Sequence, residues 1–65
     1  MKVIKGAKIL KDLHDDGWYI VHQKGSHRQF KHPVKTGKVT VNGTPSTDFF
    51  GTVLKSIENQ SGLVF

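Results

Sequence analysis

The chain has no cysteine in 65 residues. A domain below about 70–80 residues draws only about 3–5 kcal/mol from a single core, so such domains usually rely on disulfides, a metal or a partner. Without thiols there are no disulfide staples, no thiolate metal sites and no cysteine nucleophile. One domain over residues 1–65 is therefore expected, folding on a thin core or completed by a partner. Any site must lie on the surface or on one face of a small sheet.

Hydrophobic spacing supplies the elements. Ala7, Ile9, Leu10 and Leu13 recur at three- and four-residue steps, which predicts a helix over about residues 6–15 with Lys8, Lys11 and Asp12 on its wet side. Asp15-Asp16-Gly17 ends it, because glycine accepts the left-handed conformation at a helix C-terminus. Residues 18–24 open with aromatic and β-branched residues and read as a strand. Gly25-Ser26 reads as a turn, residues 27–32 as the return strand ended by Pro33, and residues 39–41 as a third strand. Residues 42–47 are a loop by composition. A second helix is expected over residues 52–61, with Thr52 as N-cap, Val53, Leu54 and Ile57 on one side, and Gly62 after its end. The predicted class is α+β: helix, three antiparallel strands, helix, with both helices on one sheet face, as in double-stranded-RNA-binding folds. Trp18 and Phe49-Phe50 are expected as core anchors; if exposed, the phenylalanine pair would form a binding patch.

Ten Lys and Arg against five Asp and Glu give a formal charge of +5. That points to a polyanionic partner, although charge also serves solubility. No apolar run approaches the ~20 residues of a membrane span. Residues 1–13 lack the continuous apolar stretch of a secretory leader, so the cytoplasm is the expected location.

The densest polar stretch is Lys24-Gly25-Ser26-His27-Arg28-Gln29-Phe30-Lys31-His32. Side chains alternate along a strand, so His27, Gln29 and Lys31 share one face and Arg28, Phe30 and His32 the other. With Phe30 in the core, His27 points onto the open face; a bulge at Gly25-Ser26 would change that aim. RNA can be cut without a metal or cofactor when its 2′-OH attacks the adjacent phosphate. The reaction needs a base, an acid and positive charge. Histidine suits the proton steps, while Lys24, Arg28 and Lys31 suit the phosphate. Gly25 permits close approach of backbone N–H groups. Taken alone, the stretch reads first as a nucleic-acid-binding hairpin. His14 suits a helix C-terminus, His22 is open between core edge and surface, and His32 closes a strand. A metal set of His22, His27 and His32 is disfavoured because His27 and His32 fall on opposite faces.

Asp16-Gly17-Trp18, Gln23-Lys24-Gly25-Ser26-His27, Phe30-Lys31-His32-Pro33 and Gly37-Lys38-Val39-Thr40-Val41, in this order, resemble the HicA toxin family. Leu54-Lys55-Ser56-Ile57 and Gln60-Ser61-Gly62-Leu63 resemble its closing helix. The resemblance implies a toxin that cleaves mRNA with no cofactor, with His27 catalytic and Gly25 shaping its loop. It also implies a HicB-like antitoxin that covers the site, the toxin being a monomer alone and part of a hetero-oligomer with that partner. Lys24, Gly25, Ser26, Arg28, Gln29 and Lys31 are the expected RNA contacts around His27. A non-catalytic RNA-binding module and a protein-interaction domain are the alternatives. The chain departs from the family twice. Asn42-Gly43-Thr44-Pro45-Ser46 lacks the further histidine often found there, leaving His22, His32, a lysine or a phosphate-bound water as second proton carrier. Val53 is an extra residue in the last helix, which could shift the helix register or the antitoxin contact.

Overall fold

The structure, a computed structural model, describes residues 1–65. Helix α1 spans Gly6–Asp15 and places Ile9 and Leu13, one turn apart, in the core; Ala7 is exposed. Its wet side carries the pairs Lys8–Asp12 and Lys11–Asp15, each at 2.6 Å and spaced i,i+4. The helix ends in a Schellman motif: Gly17 N–H donates to the His14 carbonyl and Trp18 N–H to the Leu13 carbonyl, both at 3.0 Å. Gly17 sits at φ +103°, where a side chain would be strained. Trp18 thereby folds back onto Leu13, buried to 2 % exposure as expected of a core anchor.

A three-stranded antiparallel sheet follows, formed by β2 (Tyr19–Lys24), β3 (His27–Lys31) and β4 (Val39–Asn42), in that spatial order. Phe30, Val39 and Val41 face inward and join Ile9, Leu13, Leu54 and Ile57 in one core. Both helices thus cover the same sheet face, and the other face is bare. Only 12 of 65 residues are buried, so the core is as thin as the chain length requires.

Two short strands escape the sequence reading. Ile4–Lys5, here β1, pairs antiparallel with Asp48–Phe49, here β5. Two-residue strands carry no periodicity to read. Their ribbon replaces a side-chain cap on α1. Lys5 is the N-cap residue without a side-chain hydrogen bond, yet Gly6 N–H donates to the Thr47 carbonyl at 2.8 Å and Ala7 N–H to the Pro45 carbonyl at 2.9 Å. The loop after β4 thus satisfies first-turn donors that no side chain reaches.

Helix α2 spans Gly51–Ser61 and starts earlier than expected. Its N-cap is Phe50, not Thr52, because β5 ends at buried Phe49 and the extended Phe50 leads straight into the helix. Leu54 and Ile57 face inward, while Val53 is 56 % exposed and does not share their side. Val53 therefore lies on the outer surface of a regular helix. Phe50 is exposed too, so only Phe49 of the pair anchors the core. Gly62 closes the helix at φ +74°, and Leu63 packs back on the core.

The two helix ends are tied together through Lys35. Its ammonium donates to the Asp16 carboxylate at 2.6 Å and to the Ser61 carbonyl at 3.1 Å. That ammonium, aided by the Trp18 indole N–H, holds the Asp16 carboxyl below the usual carboxylate range. Lys2, with the Phe65 backbone N–H, does the same to Glu58. A carboxyl depressed in the folded state stabilises the fold above its unfolded value near 4, and that contribution is lost as pH falls through the folded value. Melting temperature should therefore drop as pH falls below about 4. Asp16→Asn should make that acid drop shallower in a melting series from neutral to acid pH.

Candidate functional site

The β2–β3 hairpin turns on Gly25-Ser26, with Lys24 directly opposite His27. Gly25 lies at φ +58° and Ser26 does not share its positive φ, the pattern of a type II′ turn. No atom lies within 4 Å of where a Gly25 β-carbon would be, so the space above the turn is open. The hairpin has no bulge at the turn. Its register shifts further down, between Ile20 and His22, where Val21 is the extra residue.

That position decides which side chains share the open face. Ile20 pairs with Phe30 on the core side, so strict alternation would turn His22 and Lys24 toward the core side as well. The bulge reverses this. His22 pairs with Gln29 and Lys24 with His27, on the face that Gln29, His27 and Thr40 share.

There His22, Lys24, Gly25, Ser26, His27, Gln29 and Thr40 line an open concavity of about 820 Å³. Its size is that of a small-molecule pocket, but it has no hydrophobic lining residue, whereas such pockets are mostly apolar. Two imidazoles, an ammonium, an amide and hydroxyls suit a hydrated, negatively charged ligand. Of the expected contacts, Lys24, Gly25, Ser26 and Gln29 surround His27 here. Lys31 has the same parity but pairs with Tyr19 at the far end of β3 and does not line the concavity. Arg28 faces the other side of the sheet, where its guanidinium donates to the Gly43 carbonyl at 2.6 Å. It braces the hairpin against the loop after β4, as does the Gly43 N–H bond to the Ser26 carbonyl. His22 and Thr40 are the members that the sequence reading did not place here. Nothing in a run of β-branched residues marks where a bulge falls.

The remaining histidines lie elsewhere. His32 stands edge-on to Trp18 with ring centroids 5.2 Å apart. Its Nδ1 accepts from the Val34 and Lys35 backbone N–H groups at 3.0 Å, so its Nε2 carries the proton donated to the Asp16 carbonyl at 2.6 Å. His14 lies in the last turn of α1, beside Trp18 and Phe30 on the covered side. No three His, Asp or Glu side chains converge as a metal donor set.

The charges are sorted with the same clarity. All five carboxylates are taken up by lysines: Asp12 by Lys8, Asp15 by Lys11, Asp16 by Lys35, Asp48 by Lys5 and Glu58 by Lys2. The surplus of +5 therefore rests on Lys24, Arg28, Lys31, Lys38 and Lys55, and three of these five belong to the hairpin. No helix is long and apolar enough to cross a membrane.

Fold and site together define a small α+β domain with a bare sheet face and an uncompensated basic hairpin at its edge. Residues 6–63 match the family model described as the HicA toxin of bacterial toxin-antitoxin. The chain belongs to that toxin family. Comparison with curated proteins gives no match.

Proposed function

We propose that the chain is a ribonuclease toxin that cleaves cytoplasmic mRNA at the bare sheet face, with His27 transferring a proton in the cleavage step. The observation that carries this reading is the concavity in which His27 stands opposite Lys24 with no carboxylate among its lining residues. RNA supplies its own nucleophile. As the 2′-oxygen bonds to phosphorus, its proton passes to a base. As the bond from phosphorus to the 5′-oxygen breaks, an acid protonates that oxygen. The products are a 2′,3′-cyclic phosphate and a 5′-hydroxyl. An imidazole serves either step near neutral pH. Lys24 neutralises the phosphate, Gln29 and Ser26 hydrogen-bond it, and Gly25 leaves its backbone open to it. Lys31, on the same face of β3, extends the positive field for neighbouring phosphates. A HicB-like antitoxin is the partner, covering this face in a hetero-oligomer and leaving a monomeric toxin when it is gone.

Purified protein incubated with single-stranded RNA in chelator-treated buffer should yield fragments ending in cyclic phosphate. Saturable binding without fragments would instead make the chain an RNA-binding module. Binding should weaken with salt by a log–log slope of about −0.7 per phosphate contact. Lys24→Gln should reduce that slope by about one contact. An unchanged slope would remove Lys24 from the phosphate site.

A further inference from the structure

The geometry points to His22 as the second proton carrier of the site, working across the scissile phosphate from His27. This inference rests on the ribonuclease reading above and adds a residue to it. In-line displacement puts the attacking and leaving oxygens on opposite sides of phosphorus, so one imidazole cannot reach both at once. A second group is needed on the same surface, a phosphate's breadth away.

Among the histidines, one meets that demand. His22 pairs with Gln29 and Lys24 with His27, so His22 and His27 are diagonal neighbours on one face. Diagonal cross-strand sites stand about 7–8 Å apart, somewhat less at Cβ, which leaves room for a phosphate between two imidazole rings. Both residues are exposed and line the same concavity. His32 is spent on Asp16 and two backbone N–H groups, and His14 lies on the covered side. Lys24 faces the two histidines as an ammonium without an acceptor. Gln29 and Thr40, which face them from β3 and β4, do not titrate in this range. The Val21 bulge is what brings His22 to this face.

The step balances with two imidazoles. The neutral ring takes the 2′-OH proton as the new P–O bond forms. The protonated ring gives its proton to the departing 5′-oxygen. The rings end with their protonation states exchanged, and water resets them.

The test is the pH profile of kcat/KM for RNA cleavage by the wild type, His22→Gln, His27→Gln and the control His14→Gln. The wild type and the control should give a bell. His22→Gln should lose about 10²–10⁴-fold in rate together with one limb of the bell, with RNA binding and melting temperature unchanged. His27→Gln should lose the other limb. RNA with a 5′-bridging sulfur, whose leaving group needs no proton, should restore whichever variant lacks the acid. If His22→Gln keeps both limbs and differs only in KM, His22 is a binding residue and the inference is overturned while the ribonuclease reading stands. A wild type that cuts no RNA overturns both.

Discussion

His27→Ala should abolish RNA cleavage and leave the protein folded. A positioned acid or base contributes about 10²–10⁴-fold, and the loss of that factor is the expected effect on cleavage. The cost in stability should be small. His27 is exposed on β3, and substitutions at exposed positions away from caps and networks stay within about 0.5 kcal/mol. Lys24, Gln29 and the turn remain, so RNA should still bind. Expressed in bacteria, the wild type should arrest growth with loss of mRNA, and the variant should do neither. Arrest by both proteins would move toxicity to binding alone. Undiminished cleavage by the purified variant would remove His27 from the chemistry.

Gly6→Ala should destabilise the protein by about 1–3 kcal/mol or more, although helix propensity predicts the reverse. Alanine is favoured over glycine by about 1 kcal/mol in a helix interior. Here a β-carbon would sit 2.1 Å from the Thr44 carbonyl oxygen and 3.3 Å from the Phe49 ring. The oxygen is backbone, in the same loop whose carbonyls accept from Gly6 and Ala7. Relief of the clash requires that loop to retreat, and its retreat strands the first-turn donors of α1. In a domain whose core supplies only about 3–5 kcal/mol, the loss is a large share of the total. Denaturant melts of the two proteins would measure it, and an alanine variant as stable as the wild type would show that the loop yields freely.

Much of this architecture was legible in the residues themselves. Ile9 and Leu13 fixed the buried side of α1, Asp16-Gly17 its end, and Phe30 the parity that exposes His27. What was not legible is non-local. The β1–β5 ribbon is too short for a pattern, and its role as a cap for α1 depends on carbonyls some forty positions downstream. Thr52 has the chemistry of an N-cap, but the end of β5 at Phe49 sets where α2 begins. Spacing groups Val53 with Leu54 and Ile57, but the core takes only Leu54 and Ile57 and leaves Val53 at its exposed margin. For the site, Lys24, Gly25, Ser26, His27 and Gln29 came together as the hairpin reading implied. The charge of Arg28 suggests a phosphate ligand, and its bond to the Gly43 carbonyl gives it a structural partner in this fold. The sequence does not place His22 on either face, because a bulge at Val21 leaves no trace in composition.

The β1–β5 ribbon also governs the order in which such a molecule can acquire its shape. The hairpin carrying His22 and His27 closes over two residues, a contact that forms in about 1–10 μs. Helix α1 is synthesised earlier, but its first turn finds its acceptors only when Pro45 and Thr47 arrive, and Lys2 meets Glu58 across 56 positions. Contacts of such long sequence separation bear their closure entropy before they return any stability. A nascent chain therefore displays its basic β2–β3 hairpin before it owns the scaffold that holds it in place.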